Sequence, residues 1–363
     1  MAAFAVPLAL LFIACAVTSF ATTGIVKRST EQVGFVDRPD EGRKQHRDAT
    51  PRLGGLAIIF GFGFPLLLMA VNDQAAAMVT KNISYLFGVL ASGSLIVGLG
   101  VYDDVIGANA PKKFAVQIAA ALVLVAFGFQ FDIVSIAGQV FDLGFVGGVA
   151  SLFWIVGVIN AMNFIDGMDS LAPVVAITTA VAFIVIAILR HDVFSLTIMT
   201  ALAGSLVGFY PWNKPPAKIF MGDTGSMFIG LLLAAGSIAE PSKSPTAILI
   251  AGPMVALALP VLDTLIVMKQ RFGGREAETR LGQRVSRIFT ADRRHIHHIL
   301  IAKYGSATRA ILSIWLVTLL FASAAVLTVA HRTKWIGYWA GGLAFVVLLA
   351  LRYWRRREPV RET

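Results

Sequence analysis

The chain has 363 residues, 57% hydrophobic and 14% charged, with a formal net charge of +10 and a mean hydropathy of +0.76. Too few charges are present to cover a water-soluble protein of this size, which excludes the soluble classes. The single cysteine, Cys15, excludes a disulfide framework.

Runs near the roughly 17 to 25 residues that cross hydrocarbon as a helix recur along the whole chain. Runs such as 116–131 and 174–189 lack the alternation of a barrel strand, so helices are the way for the backbone to satisfy itself in lipid. The expected spans are 4–26, 53–71, 83–101, 114–131, 145–161, 171–189, 193–210, 224–239, 247–268, 309–330 and 336–351. This predicts an all-α polytopic membrane protein of about eleven transmembrane helices, forming one integral membrane domain over 1–363 with a basic tail from 352. The first run has no basic segment before it and is followed by Lys27-Arg28, as in a retained helix rather than a cleaved signal.

Alternate loops between these spans carry 26 and 5 of the Lys and Arg residues. That asymmetry predicts an outside N-terminus, a cytoplasmic C-terminus and a basic cytoplasmic face. Trp335, Tyr338, Trp339, Tyr353 and Trp354 flank the last span as an interfacial belt would. The outer loop 131–143 alternates apolar and polar residues around Gly138 and predicts a short β-hairpin.

The polar residues concentrate in five loops on the cytoplasmic side. The first contains Arg43-Lys44-Gln45-His46 and ends in Gly54-Gly55, which permits close backbone approach. Its cations suit phosphate, although basic inner loops are common in membrane proteins. The second holds Asp103-Asp104, then Lys112-Lys113. Adjacent carboxylates raise one another's pKa and call for a cation, unless the loop is simply solvated. The third reads Asn160-Ala-Met-Asn163-Phe-Ile-Asp166-Gly-Met-Asp169-Ser170. Asn163, Asp166 and Asp169 recur every three residues, roughly one helical face, and suit a polar ligand or metal; the plainer reading is a capped helix break.

The fourth loop runs Lys218-Ile-Phe220-Met-Gly222-Asp223-Thr224-Gly225-Ser226. Asp223 opens a helix, where it is either an N-cap or a carboxylate that shares Mg²⁺ with a diphosphate. Phe220 could stack on a base or simply pack. The fifth loop, 269–309, carries Asp292-Arg293-Arg294-His295-Ile296-His297-His298. Guanidinium and imidazole groups are natural phosphate partners. His-x-His-His also invites a zinc reading, which the neighbouring cations and lack of cysteine oppose. A transporter would place such groups near mid-membrane on broken helices, whereas these gather at one edge.

In this order the loops resemble the polyprenyl-phosphate N-acetylhexosamine-1-phosphate transferases, over about residues 30–300. The interrupted His295-Ile296-His297-His298 is more similar to the UDP-GlcNAc branch than to the phospho-MurNAc-pentapeptide transferases, which usually carry a continuous triple histidine. Ser170 departs from the family's Asp-Gly-x-Asp-Gly ending and lacks the φ > 0 freedom of glycine. The resemblance implies transfer of HexNAc-1-phosphate, GlcNAc foremost, from a UDP-N-acetylhexosamine to undecaprenyl phosphate, releasing UMP, at the cytoplasmic face of a bacterial inner membrane. It implies Mg²⁺, or Mn²⁺, as cofactor and no nucleic-acid partner, and is compatible with a homodimer. By the same resemblance Asp223, with Asp104, would hold the metal, and Asp103 and Asp104 would handle the lipid phosphate. Asp166, Asp169, His295, His297 and His298 would complete the catalytic group. Lys44, His46, Lys113, Asn163, Phe220, Arg293 and Arg294 would bind substrates.

Overall fold

A computed structural model describes residues 4–37, 50–70, 82–136, 139–239, 251–272, 295–330 and 334–353. Among the described residues the regular structure is helical apart from two strand pairs. In order it forms α1 (Ala5–Val33), β1 (Val36–Asp37), β2 (Thr50–Pro51), α2 (Gly54–Ala70), α3 (Ile83–Ile106) and α4 (Ala110–Ala126). A hairpin, β3 (Ile133–Ile136) and β4 (Gln139–Asp142), leads to α5 (Gly144–Ile165), α6 (Leu171–Arg190), α7 (Val193–Asn213) and α8 (Gly222–Ile238). The remainder is α9 (Ala251–Ala256), α10 (Ala258–Phe272), α11 (Ile296–Tyr304), α12 (Ala307–Val329) and α13 (Lys334–Tyr353). Strands β1 and β2 pair antiparallel, Val36 opposite Pro51; β3 and β4 do likewise, Ile133 opposite Asp142.

Seven described helices are long and apolar enough to cross a membrane, and α2 and α8 are shorter apolar helices. The chain is thus an all-α polytopic membrane protein. Side chains such as Val6, Leu10, Phe145, Phe153 and Trp339 are exposed, as lipid-facing groups are in a protein without its bilayer. The core lies around α7 and α8. Helix α8 packs against α2, α3 and α5, and α7 against α1, α2 and α6. A helix that is apolar all round belongs inside, and almost every residue of α8 after its first turn is buried.

Helix ends differ from the expected spans in ways that matter. Helix α1 continues beyond residue 26 through the Lys27–Glu31 ion pair to Gly34, whose left-handed conformation (φ 80°) ends it. Helix α3 likewise runs on past residue 101, so Asp103 and Asp104 sit on its last turn rather than in a loop. The expected span 247–268 is two helices in its described part, α9 and α10, parting at Leu257. Pro260 accounts for the break: it has no N–H and its ring clashes with the carbonyl four residues back, at Ala256. One consequence is that Asp263, on α10, is brought inside the protein at 2% exposure.

Candidate active site

Three helix ends build the centre of the site. Helix α8 begins at Gly222 with no side-chain cap from its own preceding residue. Its first free N–H groups are instead taken by Asp104 of α3: Asp223 N donates to Oδ1 at 2.8 Å, and Thr224 N to Oδ2 at 2.9 Å. The Thr224 hydroxyl donates to the same Oδ2 at 2.6 Å. Orphan donors and the positive end of the helix dipole favour a carboxylate here. The approach requires glycine at 222, where φ is 71° and an added Cβ would lie 2.6 Å from Asp104 Oδ2.

Lys113, on the first turn of α4, brings its ammonium between Asp103 and Asp223, 2.5 Å from Asp223 Oδ2 and in an ion pair with Asp103. Helix α4 is positioned for this by its start: the Asn109 side chain caps Lys112 N and Pro111 occupies the first turn. Asp103 Oδ1 also accepts from Ala108 N at 2.6 Å, which closes the α3–α4 turn. Asn163, near the end of α5, donates to Ser226 Oγ at 2.9 Å, three residues along α8 from Asp223.

The third loop divides by role. Asp166 follows the last residue of α5, and burial, reinforced by the charges of Asp223, Asp104 and Asp169, pushes its carboxyl well above the usual carboxylate range. Asp169 does not share a face with it as the spacing suggested, because α5 has ended; its Oδ2 accepts from Ala217 N at 2.9 Å and ties this loop to the one before α8. Ser170 adopts the left-handed conformation, φ 60°, that the family pattern's glycine would take freely, and its N–H donates to Asn213 Oδ1 at 2.8 Å. Asn213 in turn donates to the Ile219 carbonyl. Phe220 contributes its backbone, accepting from Gly54 N at 2.9 Å and donating to Pro51 O at 2.8 Å. Gly54-Gly55 thus grips the fourth loop, Gly55 N donating to Met221 O.

The histidines arrive on α11. His297 is 1% exposed, and among the described residues neither of its ring nitrogens has a hydrogen-bond partner. Burial, with repulsion from His298 and His295, pulls its pKa down to about 3. Its Nε2 lies against Gly167, where an added Cβ would sit 2.5 Å away. The ring stands between those of His295 and His298, with centroids 5.9 and 4.2 Å off. A buried imidazole with two unused nitrogens is costly unless a ligand completes it.

The structure therefore brings together Asp103, Asp104, Lys113, Asn163, Asp166, Asp223 and His297, with His295 stacked on His297 and His298 tilted against it. Lys44, His46, Arg293 and Arg294 lie outside the described residues. Residues not singled out from the sequence also enter: Thr224 and Ser226 beside Asp223, Asn213 beneath Ser170, and Asp263, which holds His295. Asp263 was detectable, being a lone carboxylate within an apolar run, a position that ionisable groups occupy at a cost. Chemically, four carboxylates around one described lysine make a negative centre suited to a cation, and the buried imidazole beside it suits an anionic ligand.

Comparison with known proteins shows the family of the chain. Residues 86–240 match the family described as glycosyl transferase family 4. A Bacillus subtilis (strain 168) protein named probable undecaprenyl-phosphate N-acetylglucosaminyl 1-phosphate transferase is 30% identical over 94% of this chain and 89% of its own length. The decaprenyl-phosphate N-acetylglucosaminephosphotransferase of Mycobacterium leprae is 34% identical over 85% of this chain and 80% of its own. A phospho-N-acetylmuramoyl-pentapeptide-transferase of Streptococcus pneumoniae is 33% identical over 58% of this chain and 66% of its own. With motifs, geometry and near full-length similarity in accord, the chain belongs to glycosyl transferase family 4, among the polyprenyl-phosphate N-acetylhexosamine-1-phosphate transferases.

Proposed function

We propose that this protein transfers GlcNAc-1-phosphate from UDP-GlcNAc to undecaprenyl phosphate, releasing UMP and leaving a lipid-diphosphate sugar. The observation that carries this reading is the Asp103–Lys113–Asp223 arrangement at the start of α8, set beside a buried His297 with no hydrogen-bond partner among the described residues. Phosphoryl transfer asks a protein for positioning and charge stabilisation more than for covalent chemistry. The GlcNAc donor is favoured over a MurNAc-pentapeptide donor because the GlcNAc-named relatives align over far more of the chain.

The residues fit Mg²⁺. Among the described residues no three His, Cys, Asp or Glu form a ready-made cage. Mg²⁺ commonly takes one or two carboxylates and completes its shell with water and phosphate oxygens. Asp223 is the principal candidate, with Asp103 across the Lys113 ammonium; Asp104 has its oxygens directed into the first turn of α8 and orients Asp223 from there. When bound, Mg²⁺ would neutralise the diphosphate charge of the donor. Lys113 then holds a phosphate oxygen, His297 offers a nitrogen to another, and Asp103 accepts the proton of the acceptor phosphate as its oxygen approaches the β-phosphorus. The phosphorus–oxygen bond to UMP breaks as the bond to the lipid phosphate forms.

The membrane setting supports this reading. The Lys and Arg asymmetry favours a site on the cytoplasmic face of an inner membrane crossed about eleven times, where a lipid phosphate and a cytosolic nucleotide sugar can meet. There the β3–β4 hairpin lies on the outer side. A homodimer is compatible with it. The test is UMP release by purified protein given undecaprenyl phosphate and a panel of UDP-HexNAc donors. Turnover with UDP-GlcNAc that disappears on Mg²⁺ chelation, and in Asp223→Asn, is expected; folded protein inert towards every donor would refute the proposal.

A further inference from the structure

The geometry points to Asp263 as the positioning residue of the histidine group, with Arg352 as its counter-charge. The catalytic consequence rests on the phosphotransfer reading above, and the geometry stands without it. Asp263 lies on α10, remote in sequence from α11, yet its two oxygens serve two parts of the start of α11. Oδ2 is 2.8 Å from His295 Nδ1, and Oδ1 accepts from Ile296 N at 3.0 Å. His295 precedes α11 and supplies no side-chain cap to it. Asp263 therefore caps α11 from another helix, as Asp104 caps α8.

A carboxylate can only accept, so the Nδ1 of His295 carries the hydrogen and Nε2 is the nitrogen left for a ligand. That is the logic by which outer carboxylates fix the tautomer and angle of working imidazoles. The ring so held lies 5.5 Å from that of Phe164, beside Asn163, and stacks within 10° of parallel on His297. Setting His295 thus sets the face on which His297 rests. Arg352, near the end of α13, pairs with Asp263 Oδ1. Asp263, His295 and Arg352 are 2%, 5% and 6% exposed, so this carboxylate is compensated by the guanidinium, the imidazole and a backbone N–H rather than by water. The last helix becomes part of the site's support through that pair.

The test combines ring spectroscopy with kinetics. In protein labelled with ¹⁵N-histidine, with His295 assigned through His295→Gln, Nδ1 should be protonated in the wild type. Asp263→Asn turns an amide N–H₂ towards Nδ1 and should move the hydrogen to Nε2. In the same variant kcat should fall by about 30-fold or more while KM for UDP-GlcNAc stays within about threefold. Adding it to His295→Gln should cost less than about threefold more, because both act through one ring. Asp263→Glu, which keeps an acceptor, should recover part of kcat. Wild-type Nε2–H, a kcat in Asp263→Asn within about threefold of wild type, or additive losses in the double variant would each overturn the proposal. Should no donor turn over, the phosphotransfer reading fails, and the wild-type tautomer alone still decides the Asp263 assignment.

Discussion

Gly167→Ala is the perturbation that most directly tests whether His297 works in the site. The added methyl carbon would sit 2.5 Å from His297 Nε2, whereas ordinary contact begins at 3.4 Å. The imidazole must therefore retreat by about 0.9 Å, and its packing between the rings of His295 and His298 limits where it can go. Relief comes mainly from the far end of one side chain, so the stability cost should fall at the low end of the roughly 1–3 kcal/mol typical of overpacking. Catalysis is less tolerant: a displacement of about 1 Å in a positioning group can cost about 100-fold. The assay is UMP release under saturating donor and acceptor, with detergent-solubilised thermal unfolding measured in parallel. The expected pattern is a large loss in kcat with little change in unfolding temperature. A variant within about threefold of wild-type kcat would refute the reading that His297 contacts substrate from this position.

Three further outcomes follow from the same geometry. Lys113→Met leaves Asp103 and Asp223 facing each other without their shared cation, and should lower kcat by at least about 100-fold while membrane insertion, read by detergent extraction, is unchanged. Ser170→Gly relieves a left-handed serine that costs about 1–2 kcal/mol, offset by about 0.5–1 kcal/mol of added freedom in the unfolded chain, so unfolding temperature should rise slightly or hold; a marked fall would contradict the φ of 60°. His297 takes up protons in the unfolded chain near its ordinary 6.5 but in the folded protein only near about 3. The unfolded state thus binds more protons between those values, and stability must fall as pH drops through that window. Thermal unfolding of wild type at pH 7 and pH 4.5 should differ by more than that of His297→Gln, and equal differences would remove His297 as the cause.

Class and motif order could be read from the residues alone because they are one-dimensional properties. Lipid cannot satisfy a backbone, so long uncharged runs must be helices, and a charged loop is held at a membrane edge wherever it falls in the chain. Asp103, Asp104, Lys113, Asn163, Asp166 and Asp223 stood out for that reason, and the structure gathers them. Helix ends were less legible: α1 and α3 run past their apolar spans because helical hydrogen bonding continues into polar sequence once a helix is nucleated. Conversely, the expected span 247–268 breaks in its described part because one proline outweighs apolar continuity.

What only the tertiary structure decided is the division of labour among like residues. Local sequence gives Asp103 and Asp104 the same neighbours, yet one meets Lys113 and the other caps α8, because adjacent side chains on a helix point about 100° apart. Asp166 and Asp169 separate in the same way once α5 ends between Asn163 and Asp166, one into the carboxylate cluster and the other onto Ala217 N. Asp263 stands out in the sequence as a lone carboxylate in an apolar span, but its partner emerged only when α10 carried it to His295, a pairing between residues 32 apart in the chain. The chain by itself determined a helical membrane protein, because composition acts through solvent and lipid, and the order of its polar loops carried the family resemblance that implies phosphate chemistry. Which carboxylate faces a cation, which holds a helix and which holds a histidine depends on contacts between helices distant in sequence, and those exist only in the folded molecule.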